Sequence, residues 1–142
     1  MRKYFIIVCL LFGSTHTGLL QAQDEKEVFV DQIDFKLDQV SDNAYENEYF
    51  MTLKLNKGTS YVFKITNNQD NLPGQAILEL LDANQPVLTN ELDEKYFDNV
   101  SFVCNKTGFY DMLIKYKDEK PGHSIINIFN SFPLFWCDLY IS

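Results

Sequence analysis

The chain has 142 residues, of which 20 are acidic and 12 basic, for a formal net charge of −8. That length fits one domain, and 46% hydrophobic with 15% aromatic residues is too much for a disordered chain. The acidic balance repels nucleic acid and anionic membrane surfaces, which excludes both as partners.

Met1-Arg2-Lys3 makes a short positive start, and Tyr4 to Phe12 (YFIIVCLLF) is an apolar run followed by a small and polar stretch. This is the layout of a secretory signal peptide, expected over residues 1–22 with cleavage after Ala22. The apolar run is too short to span a bilayer, which takes about 20 residues. Cys9 lies inside that run and is read as leaving with it. The remaining domain, residues 23–142, would carry 20 acids, 10 lysines and no arginine, a net charge of −10. Without arginine, bidentate grip on phosphate is not expected.

Beyond a charged lead-in at Gln23–Glu27, period-2 patterns dominate. Ile33, Phe35 and Leu37 alternate with Asp34 and Lys36. Tyr49, Met51, Leu53 and Leu55 form a second run, and Tyr61, Phe63 and Ile65 a third, with Asn56-Lys57-Gly58 between them. Two alternating runs around a glycine turn predict a hairpin. Asn67 to Gly74 is rich in turn formers. Ala76, Leu78 and Leu80 make the next strand, ended by Asp82 to Pro86, and Val87–Thr89 a short one. Glu91 to Asp98 is acidic, with Tyr96 and Phe97 as anchors. Val100–Cys104 is a strand, and Asn105 to Gly108 its turn. Tyr110, Met112, Ile114 and Tyr116 alternate again. Asp118 to Gly122 turns, Ser124–Phe129 is β-rich, and Leu134–Ile141 is expected as a last strand. About eight strands with no helical stripe predict an all-β, antiparallel, jelly-roll-like sandwich.

Three segments carry a family resemblance. Phe50 to Phe63 resembles the F-x-L-x-x-G-x-x-Y-x-F hairpin of bacterial pre-peptidase C-terminal-type domains. Ala76 to Asn84 is similar to their following strand, and Phe102 to Tyr110 to their closing F-x-x-x-x-T-G-x-Y element. Those domains are small secreted β-sandwich modules often appended to exported enzymes, so the resemblance implies an accessory or binding role. Gly58 and Gly108 are expected at turns of positive φ. Tyr110 is expected to turn its ring inward and bond nearby backbone, as in a tyrosine corner.

Catalytic chemistry has little to build on. His123 is the one histidine of the expected mature chain and reads as an exposed turn residue. No CxxC, HExxH, GxSxG, P-loop or GxGxxG is present. Metal-ligating sets are not expected, apart from calcium on the oxygen-rich groups Asp42, Glu46 and Glu48, or Asp93, Glu94 and Asp98. Cys104 and Cys137 are a candidate disulfide in an oxidising compartment. Phe50 and Phe109 fall on the face opposite their strands' apolar sets, and Tyr96 and Phe97 lie in a loop. These four are the candidate contact residues for a protein or glycan. The expectation is a secreted or cell-surface, non-catalytic binding module without cofactor. The alternative is a small acidic secreted inhibitor of a basic hydrolase, steered by charge.

Overall fold

The computed structural model describes residues 25–133. The expected signal peptide and the expected strand at Leu134–Ile141 lie outside them. The chain forms two compact units, Phe29–Asn130 and a second made of the two chain ends through Val28 and from Ser131. Of the second, the described parts are extended strand ends, with Lys26, Glu27 and Val28 exposed and Ser131 buried.

Ten strands occur in chain order: β1 (Glu25–Leu37), β2 (Tyr49–Leu55), β3 (Ser60–Thr66), β4 (Ala76–Asp82), β5 (Gln85–Thr89), β6 (Glu91–Leu92), β7 (Lys95–Tyr96), β8 (Asn99–Val103), β9 (Gly108–Tyr116) and β10 (Gly122–Pro133). They pair as a first sheet β1-β10-β3-β8, a second sheet β2-β9-β4-β5, and the miniature pair β6-β7. With β6-β7 set aside as a loop, the eight long strands follow the interleaved order of a double-sheet jelly roll. The predicted all-β sandwich is the observed architecture.

Alternation decides the layers. Ile33, Phe35, Leu37, Tyr61, Phe63, Ile65, Ile126 and Ile128 of the first sheet join one buried cluster with Leu55, Ala76, Leu78, Leu80, Tyr110, Met112, Ile114 and Tyr116 of the second. A side-chain period of 2 leaves the intervening residues facing out.

The expected β2–β3 hairpin is not there. β2 pairs with β9 in one sheet and β3 with β8 in the other, so the Asn56–Gly58 turn crosses between sheets. The β8–β9 turn makes the same crossing, and the two are bonded together. Gly58 N–H donates to Cys104 O at 2.8 Å, Cys104 N–H to Thr59 O at 3.0 Å, and Lys57 N–H to Thr107 Oγ1 at 2.8 Å. Gly58 has φ +86°, as expected of a turn glycine. Gly108 does not: it begins β9 opposite Leu55 with ordinary strand backbone.

Tyrosines close both crossings. Tyr110 donates its hydroxyl to Lys106 O at 2.6 Å, the anticipated tyrosine corner. Tyr61 Oη accepts from Asn56 N–H at 2.9 Å. The Cys104 thiol also donates to Lys106 O, at 3.1 Å. Its bond to Tyr110, with burial, pushes that phenol up to about 12. Cys137 lies outside the described residues, so its pairing with Cys104 does too.

Candidate functional site

The solvent side of the second sheet is built by register. Phe50 lies opposite Leu113, which lies opposite Glu79. The next row holds Thr52, Asp111 and Leu81, with Thr52 Oγ1 donating to Asp111 Oδ1 at 2.9 Å. A third row sets Lys54 against Phe109, and Ile77 faces Lys115 at the other end. Phe50 is 61% exposed and Phe109 70%. Four residues separate their rows, about 13 Å along the strands. Two of the four predicted contact residues therefore share one face, spaced rather than touching. Leu113, Leu81 and Ile77 are half-buried apolar neighbours that single-strand reasoning did not single out. Outward parity is visible in sequence; their alignment across three strands is not.

Tyr96 and Phe97 sit elsewhere, on the loop that follows β5. Asn90 is fully buried and fixes that loop. Its backbone N–H donates to Leu78 O at 3.3 Å and its carbonyl accepts from Phe97 N–H at 2.8 Å. Its side-chain Oδ1 accepts from Leu78 N–H at 2.8 Å, and Nδ2 donates to Ala76 O at 3.0 Å and Phe97 O at 3.3 Å. The carboxamide thus stands in for a peptide group where β5 has ended. The strands β6 and β7 carry Asp93 (φ 50°) and Glu94 (φ 64°) at a two-residue tip. Leu92 is exposed and Phe97 partly so, while Tyr96 is half-buried beneath Lys117 Nζ, 4.9 Å from its ring centre. The Glu91 carboxylate across the strand pair, followed by burial, pushes Tyr96 up to about 12.

The acidic groups named from sequence are dispersed. Asp42, Glu46 and Glu48 lie around the single turn Ala44–Asn47, where Glu46 Oε2 accepts from Ser41 Oγ. Asp93 and Glu94 form the β6–β7 tip, and the Asp98 carbonyl accepts from Ile65 N–H at 2.7 Å. Among the described residues no group of three His, Cys, Asp or Glu side chains is arranged to hold a metal ion.

His123 corrects its sequence reading as an exposed turn residue. It lies on β10 with its side chain 16% exposed, held between two carboxylates: Nε2 to Asp34 Oδ1 at 2.6 Å and Nδ1 to Asp70 Oδ2 at 2.8 Å. Lys36 joins them, 3.1 Å from Asp70 and 3.4 Å from Asp38. The bonds to Asp34 and then Asp70 raise the imidazole above its ordinary value. Lys36 and then His123 hold Asp70 below its own. The adjacent Ser124 hydroxyl is buried and donates to Asn67 Oδ1 at 2.7 Å. With both ring nitrogens occupied, the imidazole has no lone pair free to activate a nucleophile. A depression of about 40 Å³ lined by Leu37, Asn47, Lys115 and Tyr116 has room for a few waters, not a substrate.

These features define a jelly-roll sandwich with one mixed apolar and polar face and one acidic loop. No family model matches the chain, and no curated protein does. Among solved structures it is similar to PliG of Aeromonas hydrophila, a periplasmic lysozyme inhibitor of g-type lysozyme. The identity is 11%, the match covers 79% of this chain and 90% of that one, and the TM-score is 0.44. Among the described residues no helix is long and apolar enough to cross a membrane.

Proposed function

We propose that this chain is a secreted, non-catalytic binding module that docks a cationic protein on the solvent side of its second sheet. The observation that carries the reading is the exposure of Phe50 and Phe109 on one face with Leu113, Leu81 and Ile77. Rigid aromatics on strands present large contact area at small entropic cost, which is where binding energy concentrates. The net charge of −8 steers a basic partner toward the molecule. The full occupation of the His123 ring nitrogens supports a role without catalysis.

A second reading, a small acidic inhibitor of a basic hydrolase, is favoured by the loop after β5. It carries Glu91, Asp93, Glu94 and Asp98 along with exposed Leu92 and Phe97, on a frame fixed by Asn90. Both readings are tested with one probe, a cationic g-type lysozyme, by titration calorimetry and residual activity at low and high salt. The binding-module reading expects salt-sensitive binding that weakens at least about tenfold when Phe50 and Phe109 both become serine. The inhibitor reading expects lost lysozyme activity, relieved by Asp93→Lys with Glu94→Lys. Binding unaffected by the phenylalanine changes and by salt refutes the first; full lysozyme activity at saturation refutes the second.

A further inference from the structure

Among the described residues four strands form the sheet margins: β1 and β8 in the first sheet, β2 and β5 in the second. A margin presents unpaired N–H and C=O groups, which proteins blunt with charge, proline, bulges or short length. β1 carries Asp31, Asp34 and Lys36. β5 carries Pro86 and faces a register shift between Leu80 and Leu81. β8 has five residues, with polar Asn99 and Ser101 exposed. Of these devices β2 has only the charge of Lys54, with no proline and no bulge. Its seven residues, YFMTLKL, hold an unbroken register with β9, and Lys54 is their single charge. Tyr49, Met51 and Leu53 pack against the core yet stay partly exposed, because among the described residues nothing pairs with their outer side.

We propose that β2 is a self-association edge, on which a second copy of this chain pairs its own β2 antiparallel about a two-fold axis at Thr52. The occupant follows from the strand's symmetry. About Thr52, Phe50 meets Lys54 twice, ammonium against ring, on the solvent side. Met51 meets Leu53 and Tyr49 meets Leu55 on the core side, and Thr52 meets its own copy. Charge agrees: on a chain of net −8, β2 holds a lysine and no carboxylate, so its own side chains add no acidic repulsion between two copies. Moving the axis to Lys54 would set lysine against lysine, which disfavours that register. The product is one eight-stranded sheet, with the two docking faces side by side. One strand pair is a small interface, so the dimer is a weak one that forms at high protein concentration.

Sedimentation equilibrium of the purified protein over a wide concentration series tests this. A dimer is expected. Thr52→Lys and Thr52→Glu each place like charges across the axis and raise the dimer dissociation constant about tenfold. Thr52 is exposed and, among the described residues, its side chain bonds Asp111, so circular dichroism checks that both variants keep the unaltered fold. An equimolar mixture of the two variants restores association. A wild type that stays monomeric, including one whose edge takes a strand of another protein, overturns the proposal. So does association indifferent to either charge, or a mixture that fails to recover.

Discussion

Asn90→Ala removes the carboxamide that continues β5 against β4. The side chain accepts Leu78 N–H at 2.8 Å and donates to Ala76 O at 3.0 Å, and all three residues are fully buried. Alanine leaves the Leu78 N–H without a partner, in a site too enclosed for easy rescue by water, and takes one of two bonds from Ala76 O, which keeps Gln75 Nε2 at 3.1 Å. The stranded donor costs about 1–3 kcal/mol and the bond lost from the carbonyl about 0.5–1.5 kcal/mol, so the change destabilises by about 2–4 kcal/mol. Against a total stability of about 5–15 kcal/mol that is a large share, and the midpoint should fall by about 10 °C. Urea denaturation followed by circular dichroism measures it, and amide exchange at Leu78 locates it. Asn90→Asp keeps the acceptor but loses both donated bonds and buries a charge, so at neutral pH it should fare no better. A loss under about 1 kcal/mol for Asn90→Ala, or unchanged exchange at Leu78, would refute the reasoning.

The His123 clamp has a pH signature. The imidazole is raised above its ordinary 6.5, so its contribution is complete below that value and fades as pH rises through the raised one. Asp70 is lowered from 3.8, so its share is complete above that value and lost as pH falls through the depressed one. The stability gap between wild type and His123→Ala should be widest between those limits and close on the alkaline side; a gap that is flat or widens with pH contradicts the clamp. At the β4–β5 turn, Ala83 sits at φ 48° without the side-chain bonding that helps Asn or Asp there. Ala83→Gly should stabilise by about 1 kcal/mol in thermal melts, and destabilisation would show the turn unstrained. Tyr110→Phe removes the bond that closes the β8–β9 crossing and should lose about 1–2 kcal/mol in denaturant titration, with no loss arguing that Cys104 alone suffices.

The strand faces were legible because alternation is local. Ile33, Phe35 and Leu37, or Tyr110 through Tyr116, could be assigned inward from their own segments. Pairing is not local. Around Asn56–Gly58 the same residues serve a hairpin that returns and an arch that crosses, and what chooses is the demand of β8 and β9 some 50 residues on. The β4–β5 turn was legible in the turn formers Asp82 to Pro86, whereas the tip at Asp93–Glu94 reaches left-handed backbone without glycine and lacks the usual signal. Outward Phe50 and Phe109 were legible by parity. Their shared face needed the β9 register, and His123 was misjudged because its partners lie 53 and 89 residues away.

The pairing of β2 with β9 also sets a clock on biosynthesis. Thr52 meets Asp111 across 59 residues, so at about 5–20 residues per second the segment YFMTLKL emerges several seconds before its in-chain partner. During that interval it is an apolar strand with both edges open, the kind of segment that nucleates aggregates. Expression yield should therefore depend on how quickly β9 follows β2 or on a holding factor that covers β2 meanwhile.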